Sequence, residues 1–600
     1  MIKRVSDSYK NHIVSIVLGP FLKIIEAVFD LLIPLFMKAV IDLNQYQDPN
    51  NIPNVISSGL ASFIRVFNSS GSKFNDLMVG GSIILVMGIV GYIITMFSQY
   101  VAAKASVNVS SEVRSSLYKK ILMLSKKERE EIGPSKLLTL INSDTYQLQH
   151  GVLLFIRLVV RIPVILFGSL IFSFILDWRM GLAFAAMVPL ILLVNFLVLR
   201  KSAKGYLEIQ SDLDNLSNNV SEMASGSKVI RASNTQQFEN EKFNEKTTAY
   251  RNKSIHINRL NALINPLTFA ITSIVLVAII LLLQEDLFDV NNVLIASTII
   301  AGMAYLAQIF FVTVQFSTAI IDVTKGVIAG KRIDSVLKIK PSITSRKRAR
   351  TGSVKYGEEL IKFQHVFFSF TNDDNYFFND LSFQIRKGET FGIIGGTGSG
   401  KTTIVNLIER FYDASKGEIS YKGIPIKQYD LKALRDDIGL VNQKSSLFKG
   451  TIKSNYLMSN PHATDREIIE ALIQAEAYNF VNKYKEGLDH EVQEGGSNFS
   501  GGQRQRLCIG RALVKRPEIL ILDDSTSALD LLTDRRIRRR LNELKDLTKI
   551  IVSQRVATIQ NADYIIVLEG GQVVGEGNHK QLLRKCPIYK EIYETQIKKE

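Results

Sequence analysis

Hydrophobic and polar positions follow two different rhythms along this chain. Up to about Ile321 they form long apolar runs with few charges, whereas from about Asp322 onward short aliphatic clusters alternate with polar residues, as in a soluble mixed α/β fold. A helix needs about 20 mostly apolar residues to cross a bilayer. Six runs are long enough: Ile13 to Ile41, Met78 to Val101, Val152 to Leu176, Gly181 to Leu199, Leu260 to Leu283 and Val293 to Ile321. The pattern predicts a six-helix all-α membrane domain over residues 1–322, a linker over 323–358 and an α/β domain over 359–600.

The spaces between the runs carry information of their own. Asp177-Trp178-Arg179 is a very short turn, while residues 102–151 and 200–259 are long, polar, rich in Lys and Arg, and keep helical apolar spacing. The spanning helices should therefore continue beyond the bilayer. Basic loops favour the cytoplasmic side, which puts both termini and the α/β domain there. Residues 43–76 become an external loop whose patch Val55 to Phe67 either lies on the outer membrane surface or forms one short helix in a solvated loop. Met1 to His12 reads as a short interfacial helix rather than a cleaved leader.

Charge inside an apolar run is costly and suggests function. The first run holds Lys23, Glu26 and Asp30, with the two carboxylates one turn apart. They either face a cavity and attract cationic cargo, or Lys23 neutralises Glu26. Arg157 and Arg161 read as snorkelling to the cytoplasmic interface. Gln308 and Gln315, two turns apart in the sixth run, either line a cavity or bond between helices.

Composition narrows the class. At 600 residues the chain exceeds one core, and its net charge of +16 raises nucleic acid as a partner. The best support for that partner is Arg346-Lys347-Arg348-Ala349-Arg350 and the cluster Arg535-Arg536-Ile537-Arg538-Arg539-Arg540. Because the remaining basic residues crowd the loops between apolar runs, membrane topology accounts for the charge and nucleic acid is set aside. Cys508 and Cys586, both in the second half and without C-x-x-C spacing, argue against a disulfide framework or a zinc site.

The chemistry lies in the second half. Glu389 to Ile394 reads as a strand feeding into Gly395-Gly396-Thr397-Gly398-Ser399-Gly400-Lys401-Thr402, and Thr403 onward reads as a helix. Such a loop turns backbone N–H groups toward phosphates at a positive helix end, with Lys401 neutralising β/γ charge and the Thr402 hydroxyl placed for Mg²⁺. Asp523, after the aliphatic strand Ile519 to Leu522, faces the metal from the other side. Mg²⁺ and ATP are the cofactors implied. A dinucleotide site has no need of the Lys-Thr pair.

With Ser500-Gly501-Gly502-Gln503 about a hundred residues later, the whole chain resembles an ATP-binding cassette exporter half-transporter of the type I fold, an ATP hydrolase coupled to transport. The resemblance implies an adenine-stacking aromatic at Phe370, where Tyr is common. It also implies a loop glutamine at Gln443 that senses Mg²⁺, a signature at Ser500 to Gln503 that binds the γ-phosphate held by an opposite subunit, and a loop between the two sites at Ser527-Ala528-Leu529-Asp530. Glu491 to Glu494 would touch the membrane domain, and coupling helices are expected at Asn142-Ser143-Asp144 and around Val229-Ile230-Arg231.

Two positions depart from the family. The general base after the Mg²⁺ aspartate is normally Glu, and here it is Asp524; the switch histidine is replaced by Gln554. Losing a methylene withdraws the carboxylate by more than about one ångström, and general-base catalysis worth roughly 10²–10⁴-fold depends on reach. Glutamine can bond a phosphate but carries no proton. Together they resemble the degenerate half of a heterodimeric multidrug-type exporter of a bacterial cytoplasmic membrane, which implies a second half-transporter, the lipid bilayer and an amphipathic small molecule as partners. Lipid or peptide export, a homodimer with two slow sites, and an ATP-binding regulatory module of a channel or receptor are the competing readings.

Overall fold

The computed structural model describes residues 4–46, 48–52, 54–67, 72–284, 294–345, 351–371, 375–525 and 529–597. The basic run 346–350 and residues 526–528 of the loop between the sites lie outside this set. The chain forms two compact units, Met1–Leu122 with Gly133–Ile339, and Met123–Ile132 with Lys340–Glu600.

The first unit is all helix. The expected runs become parts of much longer helices: Ile13–Tyr46, Lys73–Met123, the run Pro134–Leu176, Trp178–Ser225, Gln236–Ala262 continued by Ile264–Leu282, and Leu294–Leu337. The polar segments 102–151 and 200–259 thus extend the helices, as their spacing indicated. Among the described residues, five helices are long and apolar enough to cross a membrane. Ile13–Tyr46 is not one of the five, because Lys23, Glu26, Asp30, Lys38 and Asp42 dilute its apolar character. Leu294–Leu337 runs on through residues 323–337, which the sequence placed in the linker. There the polarity rises while the helical apolar spacing at Ala329, Ile333 and Val336 persists, and all three are buried.

Tertiary contacts absorb the charges that sequence left open. Lys23 Nζ lies 2.5 Å from Glu26 Oε2. Arg161 does not snorkel; its guanidinium lies 2.5 Å from Asp30 Oδ2 and 3.7 Å from Glu26 Oε1. An arginine near the end of an apolar run snorkels only when no carboxylate is closer than the headgroups, and here two are. Gln308 Nε2 donates to the Asp30 carbonyl at 2.8 Å, and Tyr305 Oη donates to the Leu31 carbonyl at 2.7 Å, tying the last helix to the first. Gly151 and Gly326 face each other across a helix crossing, where a Cβ on either would lie 2.9 Å from the Cα of the other.

The ends of this unit are pinned too. Helix Val5–Asn11 is fastened to the bundle, with the Val5 N–H donating to Asp334 Oδ1 at 2.7 Å and Ser8 Oγ donating to Glu112 Oε2 at 2.7 Å. Asp177 alone separates two helices and caps the second by accepting from the Arg179 N–H at 2.8 Å. In the 43–76 segment the described residues hold a 3-10 turn, Pro49–Asn51, and a short α-helix, Val55–Val66, capped by Asn54. Its buried Ala61 and Ile64 pack with Val40 and Leu43, while Val55, Phe63, Val66 and Phe67 stay exposed.

The second unit holds the strands. An antiparallel sheet is built from β1 (Glu359–Phe368), β2 (Phe378–Arg386), β4 (Lys416–Tyr421) and β5 (Ile424–Pro425) in the order β2-β1-β4-β5. A six-stranded sheet combines β3 (Thr390–Gly395), β6 (Ile438–Val441), β9 (Ile519–Asp523), β10 (Thr548–Ser553), β11 (Tyr564–Glu569) and β12 (Gln572–Gly577) in the order β12-β11-β3-β10-β9-β6. Its first five neighbours from β6 to β11 run parallel, and only β12 is antiparallel. Their aliphatic runs are buried on both faces, as central parallel strands require. β7 (Gly450–Thr451) and β8 (Glu491–Val492) form a small ribbon, which is where the Glu491 to Glu494 segment begins.

Candidate nucleotide site

In a parallel sheet the carboxyl ends of the strands share one edge, and loops leaving that edge converge. Here four such loops meet: Gly396 to Gly400 after β3, Gln443 after β6, Asp524 after β9 and Gln554 after β10. They enclose a cavity of about 300 Å³ lined by Phe370, Phe377, Thr397, Gly398, Gly400, Lys401, Thr402, Thr403, Gln443, Asp523, Asp524 and Gln554. The sheet thereby gathers residues scattered over nearly two hundred positions.

The glycine loop has the backbone its function demands. Gly398 and Gly400 hold φ of 79° and 104°, a region that side chains avoid, and a Cβ on Gly400 would lie 2.5 Å from the Phe378 ring. Gly400 is the N-cap of helix Lys401–Ile408, so the helix end faces the loop. Lys401 Nζ donates to the carbonyls of Gly395 at 2.9 Å and Gly396 at 2.6 Å and lies 3.5 Å from Ser399 Oγ. Burial pushes its ammonium pKa down, against the opposing pull of Asp524 and Asp523. A buried cation bonded only to neutral oxygens is suited to an incoming anion, so the loop fits a polyphosphate.

The metal face is also arranged. Thr402 Oγ1 donates to Asp523 Oδ1 at 3.3 Å, placing the two oxygens expected to flank Mg²⁺ side by side. Asp523 is 4 % exposed, and burial raises its carboxyl pKa, with Thr402 lowering it and Asp524 raising it. These are hard oxygen ligands that leave room for phosphate and water, the set Mg²⁺ prefers.

Asp524 sits at φ 46°, its N–H donating to the Val552 carbonyl at 2.9 Å. Gln443 Nε2 lies 3.5 Å from Asp524 Oδ2. Burial raises the Asp524 pKa, while Lys401, Arg555 and the Gln443 amide lower it. Gln554 lines the cavity, and its carbonyl accepts from Gln596 Nε2 at 2.8 Å. Among the described residues that line the cavity there is no histidine, and the carboxylate beyond Asp523 that can accept a proton from water is Asp524.

Not every expected residue joins the cavity. Ser500, Gly501, Gly502 and Gln503 begin helix Gly501–Leu513, closed by a reciprocal cap in which Ser500 Oγ accepts from the Gln503 N–H at 3.3 Å and Gln503 Oε1 accepts from the Ser500 N–H at 2.9 Å. None of the four lines the cavity that holds Lys401; Gly501 instead lines a second cavity with Gln443, Ser446 and Arg504. Asp530 caps helix Leu531–Glu543 by accepting from the Thr533 N–H at 2.9 Å, which lowers its pKa. In the basic cluster of that helix, Arg538 pairs with Asp534 and donates to the Ala557 and Thr558 carbonyls, and Arg540 pairs with Glu476. Those two arginines serve the fold.

Two features were missed in the sequence. Phe377 lines the cavity beside Phe370, with ring centroids 5.8 Å apart; the signal was the run Tyr376-Phe377-Phe378 just before β2. The segment of helical chain that packs into the second unit is Met123–Ile132, whereas Asn142-Ser143-Asp144 lies inside the first. Asp144 is buried there and paired with Arg332 at 2.6 Å. The signal was the charged run Lys126 to Glu131 between Ser125 and Gly133-Pro134, a break that the helical spacing on either side obscured. Val229 and Arg231 lie on the short helix Ser227–Ala232 of the first unit and are exposed.

Comparison with known proteins agrees with this arrangement. The profile of the ABC transporter transmembrane region matches residues 16–320, and that of the ABC transporter matches residues 378–527. A putative ABC transporter ATP-binding protein of Mycoplasma genitalium is 30% identical over 607 aligned positions, covering 97% of this chain and 96% of the relative. An ATP-dependent lipid A-core flippase of Haemophilus influenzae is 31% identical, covering 88% and 89%. A solved bacterial Atm1-family ABC exporter with ATP bound shares the fold over 98% of both chains, with a TM-score of 0.78 at 20% identity. The chain thus belongs to the ABC transporter family, as a multi-pass membrane half-transporter whose ATPase couples hydrolysis to transport.

Proposed function

We propose that this chain is the degenerate-site subunit of a heterodimeric exporter in a bacterial cytoplasmic membrane. The observation that carries the reading is that Asp524 and Gln554 stand together in one cavity with Lys401, Thr402 and Asp523. The residues that hold a polyphosphate and Mg²⁺ are intact, while those that would activate water are altered. Binding is then retained and hydrolysis slowed, since a general base must reach its proton. The capped Ser500 to Gln503 helix end, outside the cavity that holds Lys401, is available to a second subunit's nucleotide and completes the competent site there. In this reading Ile13–Tyr46 is the sixth span, its charges paired within the bundle, and the nucleotide unit and both termini are cytoplasmic.

For the cargo we propose an amphipathic molecule. The paired charges of Lys23, Glu26, Asp30 and Arg161 sum to zero, which removes the main support for a dedicated cation site. Lipid is the second reading, favoured by the similarity to lipid A-core flippases. The test is Mg-ATP turnover of the chain alone in lipid and again with a co-expressed second half. Negligible turnover alone and robust turnover in the pair, abolished by Ser500→Arg in this chain, is the expected result. Robust turnover alone that Asp524→Asn removes would overturn the degenerate assignment.

A further inference from the structure

Phe370 leaves nearly half of its surface exposed on the cavity wall, and its ring contacts other than Phe377 lead away from the cavity. The Phe370 ring meets Phe368 edge-on at 4.8 Å and Tyr412 edge-on at 5.8 Å, and Tyr412 also meets Phe368 at 5.6 Å. Tyr412 is 9 % exposed, and its Oη donates to Glu130 Oε2 at 2.7 Å. Glu130 belongs to helix Lys126–Ile132, the piece of the Met123–Ile132 segment that leaves the first unit, packs in the second and returns. A second tie runs from Lys126 Nζ to Asn406 Oδ1 at 3.2 Å, on the helix that follows the phosphate loop. The segment is therefore fastened once to the aromatic wall beside the base position and once to the phosphate side.

The wall has few ways to move. Edge-to-face rings hold one another by quadrupole attraction worth about 0.5–1.5 kcal/mol per pair, so fixing the exposed ring restricts those behind it. Burial and the Glu130 carboxylate both raise the Tyr412 pKa, so its phenol stays protonated and keeps donating. Ordering passed along packed side chains couples two sites without a change of shape.

We propose that Tyr412 reports occupancy of the base subsite to residues 123–132: an aromatic base on Phe370 orders the Tyr412–Glu130 bond and with it helix Lys126–Ile132. The inference rests on the reading of Phe370 as the base-stacking face and is independent of the slow-hydrolysis proposal. It distinguishes two parts of one ligand, because a triphosphate that carries no base would engage Lys401 but not the wall.

The experiment is hydrogen exchange of the full chain in lipid nanodiscs, without ligand, with Mg-ADP, with a non-hydrolysable ATP analogue and with Mg-tripolyphosphate. Nucleotide is expected to slow exchange in residues 126–132 by about fivefold or more, the lower end of ordinary coupling, and tripolyphosphate to have little effect. Tyr412→Phe, which keeps the ring and removes the donor, and Glu130→Ala should each abolish the difference, and the double variant should add nothing. By reciprocity each should weaken nucleotide affinity by no more than the same factor. Undiminished protection in Tyr412→Phe, or equal protection by tripolyphosphate, would overturn the proposal and assign the effect to the Lys126–Asn406 tie. Nucleotide binding unaltered in Phe370→Ala would instead refute the base-stacking premise.

Discussion

Buried charge is handled in opposite ways at the helix crossings of the first unit and at the two ends of helix Lys401–Ile408 in the second. In the helical unit ionisable groups close on one another: Lys38 and Asp42, 2 % and 0 % exposed, are 3.0 Å apart and share Ser297, whose Oγ donates to Asp42 Oδ1 at 2.5 Å. Asp76 closes with Arg65 at 3.0 Å, and Lys23 with Glu26. In the nucleotide unit two buried ions, at the ends of helix Lys401–Ile408, are left open, although Asp534 closes with Arg538 and Arg410 with Asp413. Lys401 has only neutral acceptors, and Glu409, held among Arg435, Lys515 and Lys126 without a close ion pair, keeps a buried Oε2 with no hydrogen-bond partner. Closed pairs fix helices against each other; open charges wait for a ligand or a proton.

Breaking a closed pair should produce the largest loss of stability. Asp42→Ala leaves the Lys38 ammonium without its counter-charge in an apolar bundle, which costs about 3–5 kcal/mol when a partner is removed from a buried pair. Thermal unfolding in lipid is the measurement. The double substitution Lys38→Met with Asp42→Leu should recover most of the loss, because neither charge then has to be desolvated. If the single and double variants unfold alike, the Lys38–Asp42 pair does not hold the helix.

Removing an open charge should act on the ligand instead. Lys401→Met is expected to weaken Mg-ATP binding by about a hundredfold or more, as the loss of a charge-assisted contact worth about 3 kcal/mol implies, while leaving the unfolding temperature nearly unchanged. Titration of a fluorescent nucleotide alongside a melting curve separates the two effects.

Glu409 sharpens the contrast through pH. Burial raises its carboxyl from an ordinary 4.5 to about 7, with Arg435, Lys515 and Lys126 opposing. The folded chain takes up this proton near pH 7 and the unfolded chain only near 4.5. The group's contribution is therefore fully present below about 4.5 and is lost as pH rises through about 7, an effect of at most about 3 kcal/mol. Glu409→Gln should be more stable than the parent above pH 7, and the gap between the two should close as pH falls. A gap independent of pH would show that the carboxyl is not held in its neutral form.

This division also marks what the sequence could reveal. The phosphate loop could be picked out beforehand, because phosphate chemistry dictates a fixed local pattern from Gly395 to Thr402, and an aliphatic strand announces Asp523. Five of the six apolar runs were visible for the same reason, since bilayer thickness sets their length. Among the closed contacts the sequence offered Lys23 with Glu26, one turn apart, but not those between helices. Arg161 finds Asp30 across 131 positions, and Lys38 finds Ser297 across 259, so no local rule connects them. Helix ends were lost where polarity rose while spacing stayed helical, as at Leu337. The docking segment was missed because Lys126 to Glu131 looks like any solvated charged turn until Tyr412 is placed against it.

The smallest effect concerns the altered base itself. At φ 46° Asp524 occupies the left-handed region, where Asp and Asn are several-fold enriched over longer side chains because they bond locally and crowd the backbone least. Restoring the longer carboxylate by Asp524→Glu is thus opposed by the backbone that presents it and should cost about 0.5–1 kcal/mol of stability, whereas Asp524→Asn should cost nothing. Differential melting of the two variants, each without nucleotide, measures this directly. A cost for Glu but not Asn would mean that the strand end after Asp523 suits the short side chain, so that the altered base is built into the loop rather than merely tolerated there. Equal stability would leave reach toward water as the sole consequence of the missing methylene.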